Sequence, residues 1–403
     1  MKRRLIIWAA AGVAATLSTP GFAQKNYGPG VTDTEIKIGT TSPYSGPGSA
    51  YGAIAKAESA YFKMINEKGG VNGRRINFIS YDDALSPPKT VEQTRRLVEQ
   101  DQVLAVFNAV GTAANLSVQK YLNGKKVPQL LVGAGSTRLI DPLKFPWTIG
   151  WQPVYHSEGA IYGKYILANL PQARIAILSQ NDDFGRDYVE GVKAALGDKA
   201  RTLIVSETTY EPTDATVDSQ ILKMKASGAD VLINITTPKF AAQSIKKVAE
   251  IGWKPTHFLT SISVSMGAVM RPAGLQNGQG IISSAYLMDA TDDRWRDHPE
   301  MKEWNAFMDR YLPDANKADW MNVFGYVAAQ ALVQVLQQSG NDLTREGVMK
   351  SAASLKDFRP KLMLPGISAN SSPTNFFPIR QLQMMRLQGE KWDLFGPVLS
   401  SNE

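Results

Sequence analysis

The chain has 403 residues, of which 43% are hydrophobic and 20% are charged, and it contains no cysteine and three histidines. Without cysteine, disulfide bonds, thiolate metal sites and a cysteine nucleophile are excluded, so the core must be held by burial alone. The formal net charge is +7, but no run of five or more basic residues occurs, which argues against a nucleic-acid partner.

The first 23 residues have the pattern of a cleavable secretory signal. Residues 1–4 include three basic side chains, residues 5–17 are apolar, and Gly21 and Ala23 are small residues of the kind that signal peptidase reads. The apolar run is too short for a helix that crosses the roughly 30 Å hydrocarbon layer of a membrane. We expect cleavage after Ala23, export to the periplasm and no lipid anchor.

Short apolar segments alternate with amphipathic segments through the mature chain. In its first part, the pattern predicts strands at residues 36–39, 75–81, 103–107 and 128–132, and helices at residues 51–67, 89–99 and 113–122. Apolar strands that are each followed by a helix indicate a parallel sheet that is covered on both faces.

The pattern restarts after Trp151, which predicts a second lobe. Strands are predicted at residues 174–178, 203–205, 231–235 and 258–259, and helices at residues 156–169, 188–196, 219–225 and 241–251. Residues 301–338 are expected to be mostly helical and to pack on the first lobe. Residues 376–387 and 391–395 are predicted to form a closing strand pair.

Three loops at the carboxyl ends of predicted strands are candidate ligand contacts. Residues 46–52 read G-x-G-x-x-x-G, one residue longer than a dinucleotide fingerprint, and Pro47 lacks a backbone donor, so a tight loop is favoured over a nucleotide site. Residues 108–113 place helix N-terminal amides beside the Thr112 hydroxyl, which suits a carboxylate. Residues 132–137 are also small. The same small residues would permit close strand–helix packing, and both interpretations stay open.

Paired acids are the strongest sign of catalysis in the chain. Asp82-Asp83, Asp182-Asp183 and Asp292-Asp293 could serve as acid and base in a hydrolase, but each pair lies in a turn-like context where Asp forms turns or caps. The histidines share no metal-ligand spacing, and no G-x-S-x-G motif occurs. We therefore expect no enzymatic activity, no metal and no cofactor.

Several motifs follow one another in an order that is specific in combination. They are Ser42-Pro43-Tyr44-Ser45-Gly46-Pro47, Tyr51-Gly52, the segment 65–74, Tyr81-Asp82-Asp83, the segment 171–178, Asp183-Phe184-Gly185 and Ile251-Gly252-Trp253. Together they resemble periplasmic substrate-binding proteins of the branched-chain (hydrophobic) amino acid ABC transporter family.

The resemblance covers the mature chain and implies a type I periplasmic binding protein fold. This is an α/β fold with two doubly wound parallel-sheet lobes, joined by a three-crossover hinge, that close around one ligand. It places the first lobe at residues 24–150 plus 286–377 and the second at residues 151–285 plus 378–403.

The resemblance also implies which residues meet the ligand. Thr112, Ala134 and Ser136 would meet its carboxylate end, and Tyr51 would pack against its body from the first lobe. From the second lobe, the implied contacts are Phe184, Thr236, and Ile262 or Ser263.

Two departures from the family pattern bear on the ligand. Residues 260–263 contain no acid where amino acid binders place one against the ligand ammonium, and Phe184 and Thr236 replace tyrosines. Leu85 and Val110 occupy the positions of a family disulfide, so an apolar contact is expected there. A buried ammonium without a carboxylate partner costs several kcal/mol, unless Asp182 or Asp183 supplies the charge.

The sequence therefore predicts a monomeric, exported binding protein for a small carboxylate, favouring an aromatic or apolar organic acid, that serves the permease subunits of an ABC importer. A branched-chain amino acid or amide binder of the same fold is the first alternative. A ligand sensor that acts through a receptor and an exported α/β enzyme are the others.

Overall fold

The structure is a computed structural model that describes residues 25–400, so the predicted signal segment lies outside the described residues. Its strands are β1 (Asn26–Tyr27), β2 (Glu35–Ser42), β3 (Arg75–Asp82), β4 (Ala105–Phe107), β5 (Gln129–Val132), β6 (Thr148–Gly150), β7 (Ile175–Gln180), β8 (Ile204–Tyr210), β9 (Val231–Ile235), β10 (Thr256–Leu259), β11 (Ile282–Ala285), β12 (Asp342–Leu343), β13 (Gln381–Gln388) and β14 (Lys391–Ser400). Its α-helices are α1 (Gly52–Glu67), α2 (Pro87–Arg95), α3 (Thr112–Gly124), α4 (Tyr155–Asn169), α5 (Asp183–Leu196), α6 (Ala200–Leu203), α7 (Asp218–Ala226), α8 (Pro238–Glu250), α9 (Arg271–Ala273), α10 (Pro299–Tyr311), α11 (Trp320–Ser339) and α12 (Arg345–Ala352). Among these helices, none combines the length and the apolar character that a membrane span needs.

The first lobe is built on a five-stranded parallel sheet in the order β3-β2-β4-β5-β6. Helix α1 packs against α11 and α10, so the late helical region belongs to this lobe, as predicted. The strand order reverses between β2 and β4. The loops that follow these two strands therefore flank a crevice at the carboxyl edge of the sheet, where open α/β sheets bind ligands.

The second lobe is built on a seven-stranded sheet in the order β14-β13-β11-β10-β9-β7-β8. Strands β7 to β11 run parallel, and β13 and β14 add an antiparallel edge pair. The strand order reverses between β7 and β9. The loops after these strands form the second lobe's side of the crevice.

The chain passes between the two sheets three times. It leaves the first sheet after β6, returns after β11, and enters the second sheet again before β13. The Phe376 carbonyl oxygen accepts a hydrogen bond from the Gly150 amide at 3.1 Å, so the first and third passages lie side by side. The lobe boundaries assigned from the sequence stay a prediction.

Helices α4 and α5 pack closely because glycines face each other's backbones. A Cβ atom on Gly159 would lie 2.3 Å from the Tyr188 carbonyl oxygen, and one on Gly191 would lie 2.0 Å from the His156 carbonyl oxygen. No side chain fits at either position. The close contact stacks the rings of Tyr155 and Tyr188, whose centroids are 4.9 Å apart at an interplanar angle of 21°.

Several predicted elements were wrong in position. Helix α5 begins at Asp183 and not at residue 188, because the Asp182 side chain caps its first amides. Residues 376–380 belong to the third passage, so β13 begins at Gln381. The strand predicted at residues 203–205 begins one residue later, as β8, because Leu203 still belongs to α6. Strands β6 and β11 were not predicted.

Candidate ligand-binding cleft

A cleft of about 540 Å³ lies between the lobes at the two points where the strand order reverses. Its walls come from the loops after β2, β3, β4, β5, β7, β8, β9 and β10, from the first passage, and from the start of α11. The lining residues are Pro47, Gly48, Tyr51, Ile54, Ala84, Leu85, Ser86, Pro87, Val110, Gly111, Thr112, Ala113, Ala114, Gly133, Gln152, Tyr155, Gln180, Asn181, Asp182, Phe184, Glu211, Pro212, Thr213, Thr237, Ile262, Trp320 and Phe324.

The rim of the first lobe is held in an uncommon backbone conformation. Ala84 and Leu85 have φ of 52° and 57°, in the left-handed region that non-glycine residues rarely adopt. The Asp82 carboxylate accepts from the Ala84 amide at 3.1 Å, and the Asp83 carboxylate accepts from the Leu85 amide at 2.9 Å. These acids thus form a turn, as predicted. Gly111 has φ of 98°, and a Cβ there would lie 2.6 Å from the Leu85 side chain, so glycine is required.

Two of the buried hydroxyls that lack hydrogen-bond partners among residues 25–400 lie at the cleft on the first lobe. They belong to Tyr51 and Thr112, which both line the cleft. The Ser263 hydroxyl lies beside the Tyr51 hydroxyl; it donates to the Thr236 carbonyl oxygen, and its own oxygen is left to accept from Tyr51. Burial raises the pKa of Tyr51 well above its ordinary value, so its phenol stays a donor.

The position of Thr112 adds to the attraction for an anion. Thr112 is the first residue of α3, so the helix N-terminus presents backbone amides and a partial positive charge to the cleft. Together with the two unpaired hydroxyl donors, this wall is suited to a carboxylate.

Aromatic residues from both lobes form another wall of the cleft. The Phe184 ring meets the Tyr155 ring edge-on, with centroids 5.1 Å apart, and Tyr155 stacks on Tyr188. Helix α11 adds Trp320 and Phe324, whose ring centroids are 5.4 Å apart. Four of these five aromatic residues, and Ile262, line the cleft; Tyr188 lies behind them. This wall is suited to an apolar ligand body.

A buried carboxylate supports the aromatic wall and the turn that carries Ile262. Glu158 accepts from the Tyr162 hydroxyl at 2.6 Å and the Ser261 amide at 2.7 Å on one oxygen, and from the hydroxyls of Tyr188 and Ser261 at 2.7 Å on the other. Burial raises the pKa of Glu158, while these four donors oppose that rise. The network fixes the turn and the ring of Tyr188.

The two acids beside Phe184 are already engaged. Asp182 lines the cleft, but its carboxylate accepts from the amides of Phe184 and Gly185 and from the Gln180 side chain. Burial raises the pKa of Asp182 despite these bonds. Asp183 forms ion pairs with Arg186 and with Arg138 of the first lobe. Burial opposes ionisation of Asp183, but the two guanidinium groups hold its pKa below the ordinary value.

The loop of Arg138 forms a second connection between the lobes. The Thr137 amide donates to the Asp187 carboxylate at 3.0 Å, and the Thr137 hydroxyl donates to the same group. Asp183 and Asp187 both belong to α5. They bind the adjacent first-lobe residues Arg138 and Thr137, so one helix of the second lobe contacts the first lobe at two points.

The structure brings four of the eight predicted site residues to the cleft lining, namely Tyr51, Thr112, Phe184 and Ile262. The other four, Ala134, Ser136, Thr236 and Ser263, are fully buried and lie outside the lining. These four residues lie in the loops that line the cleft, but it is their sequence neighbours, such as Gly133 and Thr237, that line it. A role for these four in ligand binding stays a prediction. Among residues 25–400, no cluster of three or more His, Asp or Glu side chains is placed to hold a metal ion.

Sequence reasoning missed several residues of the cleft. Gln152 lies in the first passage, Tyr155 starts α4, and Trp320 and Phe324 are far away in the sequence. None of them lies at the end of a predicted strand, which was the signal used. Asp319 caps the start of α11, because its carboxylate accepts from the Met321 amide. This cap was the one local cue for Trp320.

The sequence of the chain matches a known protein family. The sequence profile of the family described as periplasmic binding protein matches residues 35–391. This chain belongs to the periplasmic binding protein family. The predicted resemblance is therefore confirmed, and as a periplasmic binding protein the chain is a solute-binding protein of the ABC transporter type.

Solved structures confirm the predicted fold class of this periplasmic binding protein. A branched-chain amino acid ABC transporter protein from Thermus thermophilus with bound valine has a TM-score of 0.82 at 18% identity, covering 92% of this chain and 97% of that one. A fatty acid ABC transporter substrate-binding protein from Thermomonospora curvata has a TM-score of 0.78 at 21% identity, covering 93% and 95%. A solute-binding protein from R. palustris in complex with benzoate has a TM-score of 0.74 at 19% identity, covering 91% and 98%. At these identities the likeness shows the shared type I fold.

Proposed function

We propose that this protein is an exported solute-binding protein that captures a small carboxylate with an apolar, preferably aromatic, body. The two lobes close around the ligand, and the loaded monomer delivers it from the periplasm to the permease subunits of an ABC importer, with no cofactor and no covalent chemistry. The observation that carries the proposal is the contrast between the cleft walls. One wall has unpaired buried donors at a helix N-terminus, and the other is aromatic.

The polar wall supports a carboxylate because its donors give up few existing hydrogen bonds when they bind one. Hydrogen bonds to a charged group contribute about 1.5–3 kcal/mol each. Thr112 has no partner among residues 25–400 that a ligand would have to displace, and Tyr51 has only the neighbouring Ser263 hydroxyl. Two such bonds, with the helix N-terminus, supply a large share of the roughly 8 kcal/mol that a micromolar affinity requires.

The solved neighbours support the same choice in a limited way. Their names mention valine, a fatty acid and benzoate, and all three molecules carry a carboxylate. They differ in the rest of the molecule, which is what the second wall would select. Phe184, Tyr155 and Trp320 favour a flat apolar group, since ring–ring geometry contributes roughly 0.5–1.5 kcal/mol beyond burial.

An amino acid is the second candidate, and one observation favours it. Asp182 lines the cleft, so its carboxylate could meet an ammonium group. Against this, Asp182 caps α5, accepts three hydrogen bonds and has a pKa raised by burial. All three features weaken its attraction for a cation.

Calorimetry on ligand-stripped mature protein tests the proposal. Benzoate, phenylacetate and 3-phenylpropionate are compared with leucine and valine. We expect at least one aryl acid to bind about tenfold tighter than leucine, a gap of about 1.4 kcal/mol. The Phe184→Ala variant should weaken that acid by about 2 kcal/mol through lost apolar and ring contacts.

The opposite result is equally specific. Leucine or valine binding at micromolar concentration, with silent aryl acids and with binding abolished in Asp182→Asn, would establish the amino acid candidate. The Asn side chain keeps an oxygen for the helix cap, so this variant removes the charge while retaining the fold. Uptake of labelled ligand in a deletion strain separates import from sensing through a receptor.

A further inference from the structure

Gln152 occupies an unusual position in the first passage between the lobes. It lines the cleft, yet its side chain is 97% buried, with a relative exposure of 3%. Its amide oxygen accepts from the Tyr286 hydroxyl at 3.2 Å, and Tyr286 follows β11 in the second passage. The amide nitrogen has no hydrogen-bond partner among residues 25–400.

The Tyr286 hydroxyl fixes which way this amide faces. Burial raises the pKa of Tyr286 well above its ordinary value, so its phenol keeps its proton, and the Gln152 oxygen is the acceptor for that proton. Rotating the amide would leave the phenol proton without this acceptor. Both N–H groups of Gln152, a residue that lines the cleft, are thus left without an acceptor among residues 25–400.

A buried polar group without a partner is destabilising, and such groups in native proteins call for an explanation. Gln152 differs from Tyr51 and Thr112, which follow strands of the first lobe, because it belongs to a passage between the lobes. It lies in the hinge, hydrogen-bonded to a second hinge residue.

We propose that Gln152 donates a hydrogen bond to an oxygen of the bound ligand and thereby ties the ligand to two of the three passages. The inference rests on the proposed function and adds a specificity-determining residue to it. The ligand's oxygen completes the hydrogen-bonding of the hinge, so binding and the arrangement of the passages are linked. The Tyr286 hydroxyl acts as the positioning group.

A double variant removes this pair without leaving a new unpaired group. Gln152→Leu with Tyr286→Phe deletes the amide and the phenol hydroxyl together while keeping similar volumes. We expect the ligand-free thermal midpoint to stay the same or rise, because an unpaired donor has been removed. We expect the Kd for phenylacetate, measured by calorimetry, to rise at least tenfold. Tyr286→Phe alone should raise it about threefold, because the amide loses its fixed orientation.

Thr208→Val is the matched control. Thr208 also has a buried hydroxyl without a partner among the described residues, but it lies in β8 outside the cleft lining. This variant should leave the Kd for phenylacetate unchanged. A Kd within threefold of wild type in the double variant would overturn the role of Gln152 while leaving the proposed function intact.

A wrong ligand class would give a different pattern of binding results. If wild type binds leucine and not phenylacetate, the proposed ligand class fails, and the same ratios measured with leucine decide the role of Gln152. If neither probe binds, the proposed function fails, and the role of Gln152 is overturned with it. A clearly lower ligand-free midpoint in the double variant would assign the pair a structural role and also overturn the inference.

Discussion

In the second lobe the buried carboxylate of Glu158 accepts four hydrogen bonds, whereas in the first lobe the buried carboxylate of Glu58 accepts none among residues 25–400. The same contrast holds at the cleft. The hydroxyls of Tyr51 and Thr112 on the first lobe are unpaired, while Asp182 on the second lobe is fully engaged. At the cleft, the acidic group of the second lobe is satisfied within the protein, whereas the first lobe presents unpaired donors.

The buried polar groups without hydrogen-bond partners are of two kinds. Tyr51 and Thr112 line the cleft, where a ligand can reach them. Glu58 lies on α1 outside the lining, with both oxygens unpaired, and burial raises its pKa well above the ordinary value. The proposed carboxylate ligand would satisfy the first kind. Burial favours the neutral form of the second, since an uncharged carboxyl costs much less to bury.

The largest effect is expected from removing the Glu158 network. Glu158→Met keeps the volume but takes the acceptor away from Tyr188 and from both donors of Ser261, so the free energy of unfolding should fall by about 4 kcal/mol. Urea denaturation of the ligand-free protein measures this. Glu158→Gln, which retains one acceptor oxygen, should lose less. A loss below about 1 kcal/mol for Glu158→Met would mean that the second lobe does not depend on its internal hydrogen bonds.

The next effect concerns the unpaired hydrogen-bond donors of the first lobe at the cleft. Thr112→Pro deletes both the hydroxyl and the amide at the first position of α3, where proline is otherwise well tolerated. The Kd of the best carboxylate should rise roughly a hundredfold, which corresponds to about 3 kcal/mol. Thr112→Ser retains both donors and should stay near wild type. Binding that survives Thr112→Pro within about threefold would show that the anchor lies elsewhere.

The smallest effect is a gain, and it depends on pH. The folded-state pKa of Glu58 is raised, so its neutral form is preferred, and the protein loses stability as the pH rises above about 4.5, where the unfolded carboxyl ionises. Glu58→Met should therefore raise the free energy of unfolding by about 1–2 kcal/mol near pH 5, and by at least about 1 kcal/mol more at pH 8. Urea melts at the two pH values measure the gain. A gain that is equal at both would contradict a raised pKa for Glu58.

The α/β class and the two lobes could be predicted because β4, β7 and β9 are apolar runs that are each followed by a helix. Strand β11, with the sequence Ile-Ser-Ser-Ala, has no such signal and is specified by its neighbours β10 and β13. The start of α5 was misplaced because Asp183 and Gly185 obscure the helical periodicity, although Asp182 provides a strong cap.

The candidate site was predictable where it follows a strand end and unpredictable where tertiary structure forms it. Tyr51, Thr112 and Phe184 lie at the starts of the helical segments that come after β2, β4 and β7. Gln152 lies in a hinge segment that has no periodicity. Glu158 lies on a helix, where a glutamate normally indicates a solvated face, and only the packing of α4 on α5 shows that it is buried.

The glycine contacts between α4 and α5 have a consequence for binding rates. Since no side chain fits at Gly159 or Gly191, the helix pair has little room to shift, and the rings of Tyr155 and Tyr188 are held in their stacked arrangement. Immobilising a free side chain at a binding surface costs about 0.5–1.5 kcal/mol, and this preorganised wall avoids most of that cost. Ligands that differ only in their apolar body would then enter the cleft at similar rates, and their affinities would be separated by how long each remains bound.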